Sequence, residues 1–108
     1  MNKAPRIGII CGSGMDRLSI VQNAQRVEST TAFGTPSGTV TLAEIAGVPV
    51  AIVNRHGVGH RLLPSEINVR ANVAALKQLG VEQVISFSAV GSLQEQAPPG
   101  TFVLVDQY

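Results

Sequence analysis

The chain contains no tryptophan, one cysteine, one tyrosine and three phenylalanines. A surface that stacks single-stranded nucleic acid needs several aromatic faces interleaved with cations, and none is present. Charge is equally spare. Eight Lys and Arg stand against seven Asp and Glu, a formal net charge of +1 with no basic block, so nothing points to nucleic acid as a partner. A lone Cys11 excludes an internal disulfide and offers no cluster to hold a metal. That usage suits a reducing compartment, and a cytoplasmic location is the expectation. No apolar run approaches the roughly 20 residues that a membrane-spanning helix requires. The start, Met1 to Pro5, passes too quickly into a short strand to be a signal-peptide core.

What remains is an α/β pattern in 108 residues, enough for about one small domain. Arg6 to Ile10 reads as a buried strand, because its apolar residues run on rather than alternate. Leu18 to Ala24 is expected to be a helix and Gln25 to Thr31 a short strand. Phe33 to Gly38 is loop chemistry. Thr39 to Ile45 and Val48 to Val53 form a hairpin about Ala46-Gly47. A helix is expected from Ser65 to Leu79, capped by Ser65 and stopped by Gly80. Its core stripe is Val69, Val73, Leu76 and Leu79, with Asn68, Arg70 and Asn72 on the solvated side. Gln83 to Ala89 is the next strand, parallel to Val48–Val53 through a helical crossover. Thr101 to Val105 is a last strand. A buried-type strand with nothing after it to cover it suggests the front portion of a larger domain.

Three loops carry the chemistry. Cys11-Gly12-Ser13-Gly14, Arg55-His56-Gly57-Val58-Gly59-His60-Arg61 and Ser88-Ala89-Val90-Gly91-Ser92 each follow an apolar strand. Ligands in open α/β sheets gather beyond the carboxyl ends of strands, so the three loops are expected to converge on one oxyanion. Arg55 supplies a fixed fork of donors, His56 and His60 supply imidazoles, and Ser13 and Ser88 supply hydroxyls. Each loop taken alone reads equally well as a plain turn or a solvated connection. A dinucleotide fingerprint is excluded, because Arg17 stands where its third glycine belongs.

These stretches, with Phe33-Gly34-Thr35-Pro36-Ser37, Asn54-Arg55-His56-Gly57, Pro64 to Asn72, Ser88 to Leu93, Pro99-Gly100 and Asp106-Gln107, occur in a collinear order. That order resembles the methylthioadenosine and methylthioinosine phosphorylase branch of the trimeric purine nucleoside phosphorylases. The resemblance implies a mixed twisted sheet of the nucleoside phosphorylase type, incomplete at the C-terminus. Residues 1–108 would then be the N-terminal portion of one truncated domain. It implies phosphate-dependent cleavage of a purine nucleoside, with inorganic phosphate as co-substrate, no cofactor, no metal and a homotrimer at full length. Ser13, Arg55, His56, Ser88 and Ala89 would hold phosphate, Ala89 through its backbone N–H. Val90 and Gly91 would lie against base and ribose, and His60 near the sugar 5′ side.

Two positions depart from that family's pattern. Cys11 stands where glycine is usual, and Thr101 replaces an acidic residue. The acidic group that engages the purine lies in the family's later residues, so no catalytic residue is expected within 1–108. Phosphorolysis of inosine or guanosine, and a non-catalytic phosphate-binding or subunit-interaction fragment, are the alternative readings.

Overall fold

A computed structural model describes residues 4–107 apart from 13, 58 and 60. Five strands make one mixed sheet: β1 (Ile7–Cys11), β2 (Val21–Val27), β3 (Val40–Ile45), β4 (Val48–Asn54) and β5 (Gln83–Ser86). Their order is β2-β3-β4-β1-β5. β3 pairs antiparallel with both β2 and β4, whereas β4 and β5 both pair parallel with β1. The expected parallel relation of β4 and β5 therefore holds, with β1 inserted between them. The hairpin also forms. Ala46 and Gly47, both at positive φ (52° and 79°), make the two-residue turn whose twist suits flanking strands.

Alternation along β4 builds a core on both faces of the sheet. Val50 and Ile52 join Ile9, Cys11 and Ala43 on one side, while Ala51 and Val53 join Val40, Ala75 and Leu76 on the other. The second face is covered by the helix α1 (Val69–Gln78), which crosses β1 closely at Gly8. A β-carbon at Gly8 would sit 3.0 Å from both Leu76 Cδ1 and Val81 Cγ1, so a larger residue there would push these side chains back. Gly80, at φ 93°, ends α1 with the paired bonds Val81 N–H to Leu76 O and Gly80 N–H to Lys77 O.

Several sequence expectations are corrected. Residues from Val21 belong to a strand, not a helix, because β2 pairs with β3 and that pairing outweighs local propensity. A bulge at positive-φ Asn23 separates the two registers of that pairing. The helix starts three residues later than expected. Pro64–Glu66 form a single 3-10 turn, and Asn68, not Ser65, caps α1 by accepting from Ala71 N–H at 3.1 Å. Its expected core stripe holds only in part: Leu76 is buried and Leu79 packs against the core. Ala71, Asn72, Ala75 and Leu76 are buried, whereas Val69 and Val73 are 63% and 47% exposed.

Thr101–Val105 pairs with no strand among the described residues, and β5 ends at Ser86 rather than continuing to Ala89. Val84, Ile85, Phe87 and the run Phe102 to Val105 are exposed. β5 pairs with β1 on one side only, which leaves these side chains uncovered. No described helix is long and apolar enough to cross a membrane.

Candidate functional site

β1, β4 and β5 lie side by side and end at the same edge of the sheet, which brings their following loops together. The strand ladder runs on briefly past each end: Arg55 N–H donates to Cys11 O at 3.0 Å, and Phe87 N–H to Ile10 O at 2.8 Å. Beyond these bonds opens a concavity of about 450 Å³ lined by Cys11, Gly12, Met15, Arg55, His56, Phe87, Ser88 and Ala89. Four of the expected site residues, Arg55, His56, Ser88 and Ala89, thus share one hollow. Ser13 and His60 lie outside the described residues. Val90 and Gly91 continue past the hollow without lining it, and Val90 is exposed.

Arg55 is anchored through one nitrogen of its fork. Its Nη1 donates to Phe87 O at 2.6 Å, tying the loop after β4 to the loop after β5. Gly12 leaves room on the other side, where an added β-carbon would sit 3.5 Å from Arg55 Nη2. His56 is oriented by its own loop. Leu62 O accepts from His56 Nδ1 at 2.8 Å, and because a carbonyl cannot donate, that nitrogen carries the proton. His56 O in turn accepts from Leu62 N–H at 2.9 Å, so His56 and Leu62 are joined by two bonds. Gly57, at φ 77° and buried, is what lets this loop turn. A β-carbon there would come within 2.9 Å of Ser37 O and 3.1 Å of Arg61 Nε.

Cys11 is part of the wall rather than a nucleophile. Its buried thiol donates to Asn54 Oδ1 at 3.4 Å. Burial, helped by the negative charge of Asp16 and opposed by Arg55, pushes its pKa from 9.0 up to about 11. A thiol held protonated is unreactive. Iodoacetamide at about pH 8 is expected to label Cys11 at least tenfold more slowly in the folded chain than in urea; equal rates would remove the thiol from the wall. The stabilising contribution of the protonated thiol is complete below pH 9 and is lost as pH rises through about 11. In that window the unfolded chain has already released a proton that the fold retains.

Three contributors were not singled out by sequence reasoning. Met15 packs into the hollow from the 3-10 turn after β1, and the Phe87 carbonyl serves as the anchor for Arg55. Asn72, expected on the solvated face, is 2% exposed and bonded to Ser37, which it meets across 35 positions of sequence. The only signal for it was a second asparagine four residues after Asn68 on the same helix face.

Comparison with known proteins bears on what such a hollow does. Residues 6–108 match the family model described as the phosphorylase superfamily. The S-methyl-5'-thioadenosine phosphorylase of Koribacter versatilis is 54% identical over 102 residues, which are 94% of this chain and 35% of that protein. The protein of the same name from Synechocystis sp. is 52% identical over all of this chain and 33% of its own length. Among solved structures, a methylthioadenosine phosphorylase from an Antarctic soil metagenomic library superposes with a TM-score of 0.82. It shares 49% identity over 91% of this chain and 34% of that chain. A variant of the adenosine/methylthioadenosine phosphorylase of Schistosoma mansoni in complex with methylthioadenosine gives 0.78, at 42% identity over 89% of this chain and 34% of the other. The chain thus spans about a third of the length of these relatives. The likeness in structure extends across the mixed sheet, whose type the sequence led one to expect.

Proposed function

The chain belongs to the phosphorylase superfamily, and from that premise we propose that it forms the phosphate-binding third of a methylthioadenosine phosphorylase. The observation that carries this reading is the meeting of Arg55, His56, Ser88 and Ala89 in one hollow at three adjoining strand ends. In such an enzyme the oxygen of inorganic phosphate forms a bond to the anomeric carbon as the bond from that carbon to the purine nitrogen breaks. The bonding pair leaves with the base, which takes up a proton, and the sugar departs as 5-methylthioribose 1-phosphate.

The transition state resembles an oxocarbenium sugar, as in other glycosyl transfers. An anion held rigidly beneath the anomeric carbon stabilises it and lowers the entropy cost of meeting the sugar. Arg55 supplies charge-assisted donors, with one edge of its fork already anchored on Phe87 O. The Ala89 N–H and the Ser88 hydroxyl complete the cradle, with His56 beside it, and the hydroxyl of Ser13 is the further donor this reading calls for. Val90 and Gly91 would meet base and ribose, and His60 the 5′ side of the sugar, once the rest of the enzyme is present. Small-molecule purine nucleosides are the partners this reading calls for, and a homotrimer is its assembly.

The test places this chain in the matching 102-residue segment of the Koribacter versatilis relative, giving a joined enzyme of full length. The expected result is phosphate-dependent release of adenine from methylthioadenosine by the joined enzyme and none by residues 1–108 alone. Release of hypoxanthine from inosine in preference would shift the reading to the 6-oxopurine branch. Phosphate binding without turnover of any purine nucleoside would overturn the enzymatic reading.

A further inference from the structure

Ser37 and Asn72 carry no charge and do not line the hollow, yet each is only 2% exposed. Asn72 Oδ1 accepts from Ser37 N–H at 2.8 Å, and Asn72 Nδ2 donates to Ser37 Oγ at 3.0 Å. Both ends of the amide are thereby used on one residue. One turn earlier on the same face of α1, Asn68 Nδ2 donates to Phe33 O at 2.8 Å. The segment from Phe33 to Ser37 is therefore pinned to the helix at both ends.

Its other side faces the phosphate loop. Ser37 O accepts from Arg61 Nη2 at 2.8 Å, and the same carbonyl approaches Gly57 so closely that a β-carbon there would meet it at 2.9 Å. Arg61 precedes Leu62, whose N–H and carbonyl both bond to His56. Gly57 N–H donates to Asn54 O at 2.9 Å, at the end of β4. The seat of Arg61 on Ser37 O thus sets where Leu62 lies, and Leu62 sets the ring and carbonyl of His56.

We infer that Asn72 and Ser37 are positioning residues for the phosphate site, holding His56 in place from behind through the main chain of Ser37 and the guanidinium of Arg61. The inference rests on the phosphate-site reading above. Without the Asn72 amide, the buried Ser37 N–H has lost its acceptor, and the segment must shift to find one. The carbonyl that seats Arg61 moves with it, and small displacements at an anion cradle are costly to rate.

In the joined enzyme, Asn72→Ala is expected to raise the KM for phosphate about tenfold while the KM for methylthioadenosine stays within about twofold. Ser37→Ala keeps both main-chain bonds and should leave the phosphate KM within about threefold of the parent. In the 108-residue chain, Asn72→Ala should speed amide exchange at Gly57 and Leu62 about tenfold, with Val50 and Ile52 unchanged. A folded Asn72→Ala variant with an unaltered phosphate KM, or with both KM values raised together, would reduce Asn72 to a packing role and overturn the inference. So would a Ser37→Ala defect as large as that of Asn72→Ala. Should the parent joined enzyme prove inactive, the functional reading falls first, and the exchange rates at Gly57 and Leu62 alone decide whether the tether exists.

Discussion

In the joined enzyme, Arg55→Ala is expected to raise the KM for phosphate and to lower turnover, with a combined loss of kcat/KM of about tenfold to a hundredfold. A charge-assisted hydrogen bond is worth roughly 1.5–3 kcal/mol, and each 1.4 kcal/mol is about a factor of ten in rate. The loss should appear in both constants if, as proposed, the guanidinium binds the anion before reaction and orients it during attack. Arg55 has a second task that sharpens the test. Its Nη1 bond to Phe87 O is the link between the loops after β4 and β5. Arg55→Lys keeps a cation but loses the planar fork, and a single ammonium cannot hold both Phe87 O and a phosphate oxygen in fixed geometry. The lysine variant should therefore recover part of phosphate binding and little of turnover. Phosphate kinetics unchanged in Arg55→Ala would exclude Arg55 from the site.

The second large effect concerns the support beneath the site. Leu76 is 1% exposed and lies in the cluster with Val40, Ala51, Val53 and Ala75, against Gly8 of β1. Leu76→Ala removes buried methyl groups where the neighbouring strand backbone cannot collapse inward. A loss of about 2–5 kcal/mol is expected, a large part of the roughly 5–15 kcal/mol that holds a typical domain together. Urea unfolding should show it as a lower midpoint at an unchanged slope. Val73→Ala provides the contrast. That side chain is 47% exposed, and alanine is the better helix former, so stability should stay within about 0.5 kcal/mol. A loss from Val73 as large as that from Leu76 would return Val73 to the core stripe of α1, where the sequence placed both.

The misplaced stripe shows where sequence stops being informative. Val69 and Val73 are more apolar than Ala71 and Ala75, so a reading weighted by hydropathy puts the valines inward with Leu76 and Leu79, and only the two leucines belong there. Ala71 and Ala75 face inward beside Leu76, which packs over Gly8 of β1. Val21 to Val27 was misread for a related reason. A polar stretch such as Gln22-Asn23-Ala24-Gln25 has little preference of its own, and β3 alongside it decides that it is a strand.

Other features were legible because their causes are local. Apolar runs of strand length announced β1, β4 and β5, and glycines and small polar residues just after them marked the loops that meet in the hollow. Gly80 was readable as a helix stop because only glycine takes that φ cheaply, and Ala46-Gly47 as a hairpin turn because two strand patterns flank it. Arg55, His56 and Ser88, which share the hollow, stood out in those loops by residue type, whereas Ala89 was marked only through the family resemblance.

Tertiary structure alone decided how those residues are held. The bonds from Arg55 to Phe87 O, from Ser37 to Asn72 and from Arg61 to Ser37 O span 32, 35 and 24 positions. In two of them the acceptor is a main-chain carbonyl, which every residue carries and no side-chain pattern can single out. Asn72 seemed a surface residue until its partner was in place, because a polar side chain is buried only where folding brings it a donor and an acceptor together.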